Sequence, residues 1–406
     1  MKEILFICYG GGHVKMLLPI IQNIKKNKKY HINIVALTTA RSVLDKHQID
    51  SLGFNELSFL AKDDRWKKFG EELVDKNQIS PLIDYNESVA YHGINYLDLI
   101  LQHGSLRAKE IYNHKNRQGF YPINFMSEII AYFNPDLVVA TNSPRSEKCA
   151  IDVATANNIK SLCIVDMFAL QEIKWIGKNN FATKVCVLNN SVKNMFVQYG
   201  RKENDIIVTG NPAFDSLFDI NNEKIEDYLY QKKLSKTKTK TKILYASQPE
   251  PQTHPFNNKI GDPNLPRIIE KTLRQFIKEN KQYELIIRYH PSENINYKEQ
   301  ENVKLSNKDE NLHILLHSID LIIVTASTVG LEANLIGKPV ITIDSSIFTD
   351  DAPFSKMGIS TGIKDISELP NIIYNVTSKE FKLSNKANTY FKATENIISV
   401  INNILE

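Results

Sequence analysis

The chain has few of the residues that staple, chelate or span. Four cysteines (Cys8, Cys149, Cys163, Cys186) occur in 406 residues, none in a CxxC pair and each in or beside an apolar run. That usage excludes a disulfide framework and a zinc ribbon, and is the usage of reduced core residues in a cytoplasmic protein. No apolar run reaches the ~20 residues of a membrane span. The apolar stretch Ile4–Cys8 is too short for a secretion signal and runs into glycines. Charge of one sign is also scarce: a net +4 spread along the sequence gives no nucleic-acid footprint. Contact with an anionic membrane face or a phosphorylated substrate stays compatible with that balance. The dinucleotide pattern GxGxxG and the P-loop GK[ST] are both absent from the glycine loops. No Asp-x-Asp stands beside a strand and no His/Asp cluster has ligand spacing, so neither a metal nor a cofactor is expected.

What is present is organised around Leu321–Ile343. Two β-branched runs flank a short helical segment, the pattern of a βαβ unit in a parallel sheet. Ser327 and Thr328 stand where that helix begins, offering hydroxyls and free backbone N–H groups to an anion. Glu332, four residues after Thr328, shares the face of the first turn. A carboxylate there can accept both hydroxyls of a ribose; the simpler alternative is an N-cap followed by a dipole-complementing Glu.

The rest of the chain repeats this alternation. Lys2–Cys8 predicts a buried strand, Gly10-Gly11-Gly12-His13 a loop, and Val14–Asn27 a helix with apolar residues at 17, 20, 21 and 24. Phe54–Arg117 predicts mostly helix, rich in Tyr, Trp and basic residues, an insertion suited to shaping an acceptor side. Strands follow at Pro135–Thr141, Ser161–Val165, Lys184–Leu188 and Asp205–Thr209. The sequence predicts an α/β protein of two doubly wound, Rossmann-like domains facing across a cleft. Residues 1–212 form the first, 213–242 a charged linker ending in alternating Lys and Thr, and 243–406 the second. The last helix, from about Glu380, would pack back on the first domain. Ligands in such sheets lie beyond the carboxyl ends of the strands.

Candidate chemistry sits at those ends. In the second half, Ser247, Arg288, His290, Ser327, Thr328 and Glu332 make a cradle for a nucleotide and its phosphates, built from hydroxyl, guanidinium and imidazole groups. In the first half, Asp166 and His13 are candidates for a general base, with Glu147 and Glu250 in reserve. Gly11 and Gly12 let backbone approach a ligand closely. Each has an ordinary alternative as cap, strand-end or solvated residue.

Assembled in order, these pieces resemble the GT-B superfamily of glycosyltransferases and nucleotide-sugar 2-epimerases over nearly the whole chain. The resemblance is carried by Gly10–His13, Pro135–Asn142, Val208–Pro212, and Ser327–Glu332 with Gly337-Lys338-Pro339. It implies a CMP- or UDP-linked sugar held mainly by the second domain, with Glu332 on the ribose. Two branches compete. His290-Pro291 and Ser327-Thr328 are similar to the paired signatures of bacterial capsule and lipopolysaccharide transferases. Those would move a sugar, metal-independently and with inversion, to a surface-polysaccharide or lipid-linked acceptor. The TGNP and LEA..LGKP segments resemble the non-hydrolysing UDP-N-acetylglucosamine 2-epimerases, whose pattern has an acidic residue where this chain has Asn142 and a Glu where it has Asp166. On that departure the expectation is a glycosyltransferase, with the epimerase as alternative.

Overall fold

The computed structural model describes residues 1–74, 81–232, 234, 240–255, 257–377 and 392–406. The chain divides into two compact units, the first made of Met1–Asp215 and the C-terminal helix, the second beginning at Ser216.

Buried β-branched runs become strands because both their faces are covered, as in a parallel sheet with flanking helices. In the first unit these are β1 (Glu3–Cys8), β2 (His31–Ala36), β3 (Leu137–Thr141), β4 (Lys160–Ile164), β5 (Lys184–Val187) and β6 (Ile206–Val208). They pair in the order β2-β1-β3-β4-β5-β6, every pairing parallel. The order reverses between β1 and β3, so the loops after those strands diverge and leave a crevice at their carboxyl ends. The helix Gly12–Asn27 lays Leu17, Ile20, Ile21 and Ile24 against Phe6 and Val139, the spacing of an amphipathic face. Ile397 and Ile401 of the C-terminal helix Ala393–Leu405 complete the same core. The expected start of that helix, about Glu380, lies outside the described residues. All four cysteines are buried and free, and burial pushes their thiols above the ordinary range.

The second unit repeats the design with β7 (Thr241–Ala246), β8 (Tyr283–Arg288), β9 (Val303–Leu305), β10 (Leu321–Val324), β11 (Val340–Ile343) and β12 (Thr361–Ile363). Their order is β12-β11-β10-β7-β8-β9, again all parallel, with the reversal between β7 and β10. The edge strands β9 and β12, three residues each, are absent from the sequence reading. The helix Asn222–Gln231 lies inside the stretch read as an exposed linker or a frayed helix end. Its Tyr228 is buried and donates to Glu310 at 2.9 Å, and Lys232 just beyond it pairs with the same carboxylate. Of the Lys-Thr run, residues 236–239 lie outside the described residues. No helix among the described residues is long and apolar enough to cross a membrane.

Candidate functional site

Each unit gathers its polar side chains at the carboxyl ends of its central strands. In the first, β1 ends in the glycine loop. Gly11, at φ +69°, holds a backbone conformation that side chains resist, and Gly10 is pressed against Thr38 and Thr39 so closely that a Cβ has no room. The loop thereby delivers His13 to the second position of the helix. His13 Nδ1 meets the Thr141 hydroxyl at 2.7 Å, and that hydroxyl donates to Glu147 at 2.6 Å. Glu147 is fully buried and also accepts the N–H groups of Tyr9 (3.0 Å) and Ser143 (3.2 Å). Burial raises its proton affinity, while His13 and the donated hydrogen bonds draw it back. Because the threonine proton points at the carboxylate, Nδ1 of His13 is the donor to Thr141. Nε2 is then the ring nitrogen left free to exchange a proton.

Asp166, after β4, is held differently. Asn142, at the end of β3, donates to its Oδ1 at 3.0 Å and accepts its backbone N–H at 3.0 Å; Met167 N–H adds a second bond to Oδ1 at 2.7 Å. Asn211, of the Thr-Gly-Asn-Pro turn, ties down the Asp166 carbonyl at 2.6 Å. Glu172 lies within electrostatic reach of both: burial raises its proton affinity, Asp166 raises it further, and His13 lowers it. Sequence reasoning passed over Glu172, since nothing local separates it from an ordinary helix-start glutamate. Glu147 carried a weak local sign, two residues after the loop Asn142–Arg145.

In the second unit Glu293 is the organiser. One oxygen accepts from Ser247 (3.0 Å) and Arg267 (2.8 Å), the other from the backbone N–H of His290 (2.9 Å). Arg267 also donates to Ser247 at 2.7 Å and stacks on Tyr289. Ser247 is therefore buried within a network that shapes the loop. His290 is exposed, and its Nδ1 accepts the backbone N–H of Ser292 (3.2 Å), which leaves Nε2–H pointing outward as a donor. Ser327 caps the helix Thr328–Leu335, its hydroxyl 3.4 Å from Val329 N, and Thr328 is exposed on the first turn. Glu332 on the same helix is nearly buried, 3.6 Å from His313.

Arg288 departs from its expected role. Its four terminal N–H groups are committed to Ser306 Oγ and the carbonyls of Asn307, Lys308 and Glu310, at 2.9–3.1 Å. It braces the loop after β9, and burial lowers its proton affinity while Glu310, Tyr228 and Glu332 raise it. Glu250, a reserve base, is likewise fixed, buried between Ser346 and Ile347 N–H. Lys338 of the Gly-Lys-Pro segment donates to the carbonyls of His317 and Ile319, at the end of a helix. The structure thus joins Ser247 to His290 through Glu293, and Arg288 to Glu332 by charge. Among the described residues no hydrogen bond links Ser327 or Thr328 to either pair. No group of three His, Cys, Asp or Glu among them is placed to hold a metal ion.

The sequence profile of the UDP-N-acetylglucosamine 2-epimerase family matches residues 171–402, more than half of the chain. No protein of curated function matches it in sequence. Among solved structures, MnaA of S. aureus in complex with UDP is 14% identical, with a TM-score of 0.60 over 100% of this chain and 97% of that one. The UDP-GlcNAc 2-epimerase of Neisseria meningitidis bound to UDP-GlcNAc is 14% identical, with a TM-score of 0.59 over 99% and 100%. CalG4, the calicheamicin glycosyltransferase, is 11% identical, with a TM-score of 0.56 over 98% and 94%. At such identities the likeness carries the fold, two α/β units of the GT-B kind.

Proposed function

We propose, for a chain that belongs to the UDP-N-acetylglucosamine 2-epimerase family, that it binds a UDP-linked 2-acetamido sugar and inverts carbon 2. The family reading thereby displaces transfer to an acceptor as the first choice. Inverting a C–H centre takes a proton from one face and returns one to the other, so two proton-transfer groups are needed. The observation that carries the reading is that the first unit holds two, fixed independently. One is His13, held in place by Thr141, which is itself held by Glu147. The other is Asp166, clamped by Asn142, with Glu172 beside it. A hexosamine C2–H has no carbonyl next to it, so the C–H electron pair must form a C1=C2 bond as the C1–O bond to UDP breaks; UDP then adds back to C1 as a proton reaches C2 from the other face. Nucleotide binding is the part proposed for the second unit: His290 Nε2–H and the helix start at Ser327 and Thr328 take the diphosphate, and Glu332 takes the ribose hydroxyls.

The test is incubation with UDP-GlcNAc in D2O, followed by proton NMR. Solvent deuterium at C2 together with the C2 epimer is the expected result. UDP binding with neither deuterium nor epimer overturns the reading. A second reading, sugar transfer to a surface-glycan or lipid-linked acceptor, is favoured by Asn142, whose amide holds Asp166 where an acid would exchange protons. Free UDP released only when an acceptor is added identifies it.

A further inference from the structure

Beside the helical insertion of the first unit lies an open-sided chamber of about 280 Å³ whose lining includes none of the proton-transfer groups. Tyr91, His92, Tyr112 and Arg117 line it, and Thr38 closes one side. Thr38 also belongs to the glycine loop's surroundings, its hydroxyl accepting Gly10 N–H at 3.2 Å. Tyr91 lies close to Tyr9, whose ring meets His13 edge-on and carries the Arg145 guanidinium 4.9 Å above it. The chamber and the base thus share a wall.

Its chemistry is that of a small, anionic, ring-shaped ligand. Arg117 is exposed at the chamber and has no acidic partner among the described residues. It lines the chamber beside Tyr91, His92 and Tyr112 and lies within electrostatic reach of all three. The acidic residue of the lining, Glu87, turns one oxygen to Phe54 N–H (3.0 Å) and the other to Asn55 N–H (2.8 Å). His92 donates Nδ1–H to the Ser88 carbonyl at 2.8 Å, which fixes its ring and leaves Nε2 an acceptor for a hydroxyl. Aromatic walls with a few fixed polar groups and one guanidinium are the make-up of a site that orients a ligand by its carboxylate.

We propose that this chamber is a second carbohydrate site, taking one pyranose that bears a carboxylate, with Arg117 on the carboxylate and Tyr112 and His92 against the ring. It rests on the UDP-sugar reading only in preferring a sugar to another small anion. Saturation-transfer NMR on the full chain with glucuronate, glucose and acetate tests it, in the same samples used to titrate UDP. Glucuronate is expected to bind at least about tenfold more tightly than glucose or acetate, and Arg117→Gln to weaken it by about tenfold or more. UDP binding should be unchanged by that exposed substitution. No glucuronate signal, a signal that Arg117→Gln leaves intact, or equal signals from glucose or acetate would overturn the proposal. Failure of UDP to bind would instead count against the nucleotide site.

Discussion

Asn142 and Asp166 hold each other at two points, side chain to side chain at 3.0 Å and backbone N–H to side-chain carbonyl at 3.0 Å. An asparagine here fixes the carboxylate's rotamer without adding a second charge. Asn142→Ala should lower kcat for C2 inversion about tenfold while KM stays within about twofold, because geometry rather than binding is lost. Steady-state kinetics with UDP-GlcNAc reads this. Asn142→Asp would set two carboxylates at hydrogen-bond distance and raise the proton affinity of the pair, moving the pH–rate profile toward higher pH.

The chain Glu147–Thr141–His13 makes a different claim, that three residues act as one. Thr141→Val and Glu147→Gln should each reduce kcat about tenfold, and the double substitution should do little more than either alone. Additive losses in that cycle would break the chain into separate parts.

For the second unit, Glu293→Ala removes the common acceptor of Ser247, Arg267 and His290 N–H and should weaken UDP binding about tenfold. Glu332→Gln, acting on the ribose, should cost a similar factor, and the two should add, since they serve different parts of the nucleotide. Calorimetry with UDP alone measures all three variants.

Glu87 gives a stability prediction with a definite sign. Burial raises its carboxyl from 4.5 to about 7. The folded chain therefore keeps a proton that the unfolded chain has released, and stability falls as pH rises from about 4.5 to about 7. The decline should be on the order of 2–3 kcal/mol, and Glu87→Gln should flatten it. Urea denaturation at pH 5 and pH 7.5 compares the two proteins.

Much of the fold was legible because its strands are buried on both faces and their β-branched runs stand out between glycines and prolines. The edge strands Val303–Leu305 and Thr361–Ile363 were not, since three residues carry no period. The strand-end positions of His13, Asp166, Ser247, His290 and Ser327 could be read from the breakers beside them. What those side chains touch could not. Arg288 and Ser247 looked like ligands because a guanidinium and a hydroxyl at a strand end are chemically apt. Their partners, the 306–310 carbonyls and Glu293, are chosen by packing across the sheet. Glu172 and Glu293 were invisible for the same reason, having no local signature and acting only through neighbours remote in sequence.

Arg201, 2% exposed, shows how much such remote pairing can matter. It donates to the carbonyls of Ile176, Lys178, Phe181 and Ala182, at 2.5–2.9 Å. Arg201→Met should cost about 3 kcal/mol or more by leaving several buried carbonyls unpaired, read as a lowered urea midpoint.

The helix Ala393–Leu405 sets an order of events during synthesis. Ile397 and Ile401 fill a core otherwise built by the first half of the chain, so that core is complete only once residues 393–405 have been made and packed into it. The second unit, emerging in between, can finish first and must do so within an unfinished host. A nascent chain stalled before residue 393 should expose Leu17 and Ile20 to chaperones until the last turns of helix arrive.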